Sequence, residues 1–572
     1  MTIKYMSLLF SLYQGLLING CQSNSLTADL VLQNGHIYTI EKKNERYEAI
    51  AIKKDKIIDI GTIPDIKKYV GEITTVIDLE GKTVIPGFID SHAHFMSLGY
   101  SKLNLDLNNV KSWTELLEKV KTTINKNKPG TWIEGRGWHQ EKWDELPGTM
   151  IEGYPVHNEL SIISPNNPIY LKHASGHAIL VNQFAMDLAG ISKETIDPPG
   201  GRIIRDKNNC PTGILLEKAN FTVNKILAES KKFRNDKEVE EINRKTYHLA
   251  SKTCLENGIT SFHDAGSTFE EIRFFYKMVG TKQASIRLWV MIEEENDSLK
   301  KHLPSYKILN FKDRLTVRAI KKYMDGALGV RGAWLLEPYS DLSSTYGLND
   351  TPLTELYETA QLALEHGFQM CIHAIGDRGN RETLNIYEEV TKNSQSPSDL
   401  RWRIEHAQHL HPDDILSFKK LGIIAAIQSV HCTSDGPWVP KRLGEKRSAE
   451  GAYVWQKLLK SGIIICNGTD APVEDINPIA NIYAAVTRRF SDGSAFYPEQ
   501  SLTRYQALRS YTIDAAYAGF EENIKGSLIP GKLADLTVLS KDIMTITEED
   551  IRSIEILYTI IGGKILYKKN KS

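Results

Sequence analysis

The segment Ile85–Phe95, IPGFIDSHAHF, closes an apolar run with His92 and His94, two residues apart. In a β-strand, residues i and i+2 share a face, so the two imidazoles would stand side by side as a pair able to hold a cation. Further side chains of ligand type close later apolar runs: Lys321 in RLTVRAIKKYMDG, His373 in QMCIH, His406 in RWRIEH and Asp470 in IIICNGTD. Singly, each has an ordinary reading. A strand-end histidine usually satisfies local hydrogen bonds, and an aspartate after Gly-Thr starts a turn or caps a helix. Jointly, imidazoles and a carboxylate at the ends of separate strands point to a metal centre, and these donors suit a borderline cation such as zinc.

The elements that must position these residues can be read from the hydropathy pattern. Apolar strand-like runs such as GITSFHDAG, GFQMCIHAIGD and GIIAAIQSVH alternate with amphipathic stretches such as LTELYETAQLALEH. This alternation predicts a parallel sheet, and its length favours an α/β fold of the TIM-like (β/α)8 barrel type. A doubly wound sheet is the alternative, but no G-x-G-x-x-G or G-x-x-x-x-G-K-[ST] follows a strand. Catalytic groups of such barrels gather at the C-terminal strand ends, which is where the six residues fall. Short alternating runs bounded by Gly or Asn-Gly occupy both ends of the chain and predict one composite β-sandwich built from both termini. The expected organisation is a leader at 1–20, sandwich strands at 27–88 and 523–570, and a barrel at 89–522 with an insertion at about 130–219.

The motifs PGFIDSHAHF, KKYMDGALGVRGA, IHAIGDRGN, RIEHAQ and GTDAPV run in order along nearly the whole chain after the leader. In order and context they resemble the metal-dependent amidohydrolase superfamily, and within it the amidohydrolase 3 branch of N-substituted formamide deformylase-like and YtcJ-like proteins. The resemblance implies one or two divalent metal ions, such as Zn2+, held by His92, His94, Lys321, His373, His406 and Asp470. The matching lysine is carboxylated in related enzymes. That agrees with its chemistry, because an ammonium has three donors, no acceptor, and a charge the metal repels. Strand alternation turns only one of Lys321 and Lys322 inward, and the spacing to Asp325-Gly326 favours Lys321.

Such a site activates a water near neutral pH. Asp470 would take its proton and later deliver it to the departing amine, while His431 or His177 would help hold the developing oxyanion. The expected reaction is hydrolysis of a non-peptide C–N bond in an amide, N-substituted formamide or cyclic amide. The alternatives are ester or lactone hydrolysis on the same scaffold and a non-catalytic, ligand-binding member, which the complete ligand set argues against. Within the insertion, TWIEGRGWHQEKWDE and KHASGHAILVN nominate Trp138 and His177 as pocket residues, with Arg136, His139 and His173 as further polar contacts. Arg205 and Glu217 read as structural.

Lysine plus arginine (70) nearly balances aspartate plus glutamate (71). No basic block indicates a nucleic-acid partner, and a small-molecule amide-type substrate fits better. An oligomer is compatible with the sequence. Six scattered cysteines form no C-x-x-C or disulfide framework. The first 20 residues form a short apolar leader, and the LINGC that joins it to Cys21 resembles a bacterial lipoprotein processing site. This predicts a lipid anchor at Cys21 and a location on the periplasmic side of a membrane, with a cytoplasmic protein as the alternative.

Overall fold

The computed structural model describes residues 27–108, 110–231, 236–392 and 399–570. The leader and Cys21 lie outside these residues. Among them, no helix is long and apolar enough to cross a membrane.

The strand-like runs of the middle region form one parallel sheet in chain order. Its strands are β1 (Phe88–Ala93), β2 (Ile259–Ser267), β3 (Arg287–Ile292), β4 (Leu315–Tyr323), β5 (Gln369–Ala374), β6 (Arg403–His406), β7 (Ile424–Ile427) and β8 (Ile465–Asn467). Every residue of β3 and β5 is buried, as required of strands with packed barrel interior on one side and helices on the other. The helix Leu353–His366 joins β4 to β5, buries Leu356, Ala360 and Ala363, and ends on Gly367 at φ 66°. Glycine tolerates that left-handed cap without a Cβ clash.

The seam between β8 and β1 is closed by polar groups just beyond the last strand. The Asp470 amide donates to the His92 carbonyl at 2.7 Å. The Thr469 amide and hydroxyl donate to the Asp90 carboxylate at 3.0 and 2.6 Å. Barrel closure and the placing of His92 and Asp470 are thus the same set of contacts.

Both ends of the chain build the second β-layered unit. Thr83–Pro86 pairs antiparallel with Leu536–Leu539, so N-terminal and C-terminal strands share one six-stranded sheet. A four-stranded sheet, led in sequence by Leu30–Gln33, lies against it. Leu30, Ile37, Ile52, Val84, Leu536 and Ile560 fill the core between them.

The insertion carries its own six-stranded sheet, running from Leu105–Asp106 to Gly201–Arg205. It therefore begins some way before residue 130. Helix Trp113–Ile124 belongs to this unit, with Trp113, Leu116 and Val120 packed into its core. Trp138 belongs to that core too. It is fully buried against Trp143 and His173, and its indole N–H donates to the Leu171 carbonyl at 2.9 Å. The expectation that Trp138 lines the substrate pocket is corrected: it packs the insertion.

Candidate active site

His92, His406 and Asp470 form the centre of the site, with one candidate ligand atom from each lying within 4.8 Å of the others. His92 ends the inward face of β1 and is fully buried. His94 follows the strand, and its Nε2 lies 3.2 Å from Asp470 Oδ1, with the His92 Nε2 3.6 Å from the same oxygen. The His373 ring stands 4.4 Å from His406, and His406 stands 4.8 Å from His92, centroid to centroid. Lys321 is buried at the same end of the barrel, its Nζ 4.5 Å from the Tyr323 ring centroid. Lys322 pairs instead with Glu355 at 3.1 Å. All six residues nominated as metal ligands therefore converge on one end of the barrel.

Two of them sit on backbone that favours glycine: His406 at φ 73° and Asp470 at φ 57°. Such strain persists where surrounding contacts over-determine it, and it clusters at functional sites. At His406 it has a visible result. Neighbouring strand residues normally face opposite ways, yet Glu405 and His406 both meet His92.

Burial, more than these neighbours, sets the protonation of His92, His373 and His406. The Glu405 carboxylate pairs with His92 Nδ1 and with Arg403, all three fully buried. Burial would raise the Glu405 pKa, but Arg403 and His92 outweigh it and hold the group far below the usual carboxylate range. Burial pulls His92 down to about 4 despite Glu405, and pulls His373 and His406 well below the ordinary imidazole value. His92, His373 and His406 are thus neutral, as metal coordination requires. Burial would raise Asp470, but His94 and then His92 and His406 overcome it, leaving an ionised carboxylate.

The residues also pass a test of fit to a metal ion. His92 Nε2, His373 Nε2 and Asp470 Oδ1 are buried and lack a hydrogen-bond partner. Buried polar atoms without partners are costly and uncommon in native proteins. Here His92 Nε2 and Asp470 Oδ1 lie 3.6 Å apart, the His373 ring stands beside His406, and their donor types match a divalent cation.

The site opens into a cavity of about 610 Å³ between barrel and insertion. His431 lines it from the first turn of helix Ser429–Asp435, beyond β7, with Nε2 3.8 Å from Asp470 Oδ2. His177 lines it from the insertion, its Nδ1 2.8 Å from Glu217. Burial lowers the His177 pKa, but Glu217 overcomes it and the net shift is upward. Glu217, itself at φ 49°, thus positions His177. Arg205 stays with Asp197, 2.6 Å away.

The amidohydrolase family model matches residues 75–567. The chain belongs to this family. Across 99% of its length it is 33% identical to Protein LONG AFTER FAR-RED 3 of Arabidopsis thaliana, covering 96% of that protein. It is 31% identical over 94% of its length to YtcJ of Bacillus subtilis (strain 168), covering 99% of it. Identity to the N-substituted formamide deformylase of Arthrobacter pascens is 26%, over 95% of this chain and 99% of the other. An uncharacterized metal-dependent hydrolase from Pyrococcus horikoshii OT3 superposes with a TM-score of 0.72 at 28% identity, over 91% of this chain and 99% of that one. This amidohydrolase-family chain thus shares its barrel with metal-dependent hydrolases.

Sequence reading missed Glu405 and Gln428. The former stands next to His406, where strict alternation turns it away from the site. Gln428 follows β7 and meets His406 because β7 pairs with β6, although the two are 22 residues distant in the chain.

Proposed function

We propose that this protein is a metal-dependent amidohydrolase that cleaves a non-peptide C–N bond in an amide, N-substituted formamide or cyclic amide, with zinc as the metal. The observation that carries the reading is the grouping of His92, His406 and Asp470, whose candidate ligand atoms lie within 4.8 Å of one another beside the cavity that His406 and Asp470 line. His92, His94, His373, His406 and Asp470 would hold the metal, together with Lys321 once carboxylated. When bound, a divalent ion supplies Lewis acidity and a water of lowered pKa.

The chain's own groups supply the rest. Ionised Asp470 accepts the proton of the attacking water and returns it to the leaving nitrogen, making amine departure feasible. His177, held by Glu217, and His431 face the cavity as donors for the carbonyl oxygen as charge develops on it. The likeness to the deformylase over nearly the full length supports a C–N bond as the target. The LINGC segment supports anchoring at Cys21 on the periplasmic side of a membrane, which mass spectrometry of the mature N-terminus tests.

The test of the reaction is a panel of N-formyl amines, hydantoins and lactones assayed side by side on metal-loaded protein. Turnover of the C–N substrates is expected, and turnover confined to lactones would overturn the reading. In the same assay Asp470→Asn should keep metal and lose activity. Full activity in that variant would remove Asp470 from proton transfer.

A further inference from the structure

Two cations on the insertion side of the cavity are held in place without being neutralised. Arg136 and Lys172 are register partners on adjacent parallel strands, so their side chains leave the sheet on the same face. Both line the cavity. A Cβ placed on Gly176 would lie 3.7 Å from Lys172 Cε and 3.9 Å from Arg136 Nη2, so the two side chains flank one point.

Arg136 is anchored by carbonyls alone. Its Nε donates to Pro472 at 3.3 Å and its Nη2 to Ala174 at 3.1 Å. Carbonyls fix a guanidinium but do not cancel its charge, and three of its five N–H donors are left over. Among the described residues, neither Arg136 nor Lys172 has a carboxylate within ion-pair distance. Two other lysines of this cavity do: Lys142 pairs with Glu474 at 3.0 Å, and Lys322 with Glu355. Glu293, the acid that acts on Lys172, lies nearer to Tyr323, whose hydroxyl donates to it at 3.3 Å. Burial, with Arg136 as the next cause, pulls Lys172 down to about 8, so it is still cationic at neutral pH. Two like charges side by side in a partly desolvated wall are unfavourable unless an anion joins them. The Pro472 contact also sets Arg136 two residues along the chain from Asp470, within the span of one small substrate.

We infer that the substrate carries a carboxylate, bound by Arg136 and Lys172 while its scissile bond lies against His92, His406 and Asp470. A planar guanidinium beside an ammonium matches a carboxylate in charge and in hydrogen-bond geometry. This rests on the amidohydrolase reading for the identity of the bond, but not for the anion. The selected class is acylated amino acids and related amides in preference to acylated neutral amines.

The experiment uses N-formyl-phenylalanine and N-formyl-phenethylamine, which differ by one carboxylate, on metal-loaded protein. Binding is measured by calorimetry and turnover separately. The carboxylate compound should bind at least about tenfold more tightly, the size of a charge-assisted contact. Arg136→Gln and Lys172→Met should each erase most of that difference, chiefly in Kd and KM, while Lys172→Arg restores it. Melting curves confirm that the variants are folded. Binding that differs less than threefold between the two compounds, or a preference that survives both substitutions, overturns the inference whether or not either compound is cleaved. A binding preference without cleavage upholds the anion site and counts against the proposed reaction instead.

Discussion

The side-chain carbonyl of Gln428 accepts a hydrogen bond from His406 Nδ1 at 2.6 Å, while its own Nε2 donates to the Ala426 carbonyl at 3.0 Å. The second contact orients the amide, and the amide then dictates the tautomer. Nδ1 carries the hydrogen, so Nε2 presents its lone pair. Partners that orient metal-binding histidines typically contribute about 10–100-fold to metal affinity or activity. Gln428→Leu should therefore weaken zinc binding in a chelator competition by that order, with the fold intact. Unchanged affinity would show that His406 needs no such orientation.

Glu405 is bound to both Arg403 and His92 with all three fully buried. Removing it strands the Arg403 charge inside the barrel. Breaking a buried ion pair from one side costs about 3–5 kcal/mol, so Glu405→Ala should lower the urea midpoint of unfolding by a matching amount. A variant within about 0.5 kcal/mol of wild type would mean that water reaches Arg403.

His409 is buried beside Tyr453, and burial, followed by Arg447, pulls it down from 6.5 to about 3. The unfolded chain takes up a proton below 6.5 that the folded state refuses. Its contribution to stability is therefore full above 6.5 and declines as pH falls toward 3. The slope is about 1.4 kcal/mol per pH unit for each such group. Urea unfolding at pH 7 and pH 5 should show the loss, and His409→Gln should show a smaller one. Equal slopes in the two proteins would contradict a neutral buried His409.

The fold was legible because its signals are local and periodic. Strand-end positions in a parallel barrel converge in space, so His92, His373, His406 and Asp470 could be grouped without any contact information. What sequence reading missed depends on tertiary contacts or on broken periodicity. Glu405 faces the barrel interior with Arg403 by ordinary alternation, and the left-handed backbone at His406 brings that histidine round to the same side. As a tryptophan of the Gly- and Trp-rich insertion Trp138 reads as a pocket-wall residue, yet its indole faces the insertion's own core. The insertion's first strand, Leu105–Asp106, is only two residues long and joins its sheet through tertiary pairing with Gly135 and Arg136, which no local pattern signals.

The central claim is that the strand-end cluster holds a catalytic divalent metal. Its most direct test is the metal content of purified protein after zinc loading and exhaustive dialysis, by inductively coupled plasma mass spectrometry. Wild type should retain one or two ions per chain, and His92→Ala/His406→Ala should retain none at that site while still folding. Wild-type protein without metal, or a double variant with an undiminished metal content, would contradict it.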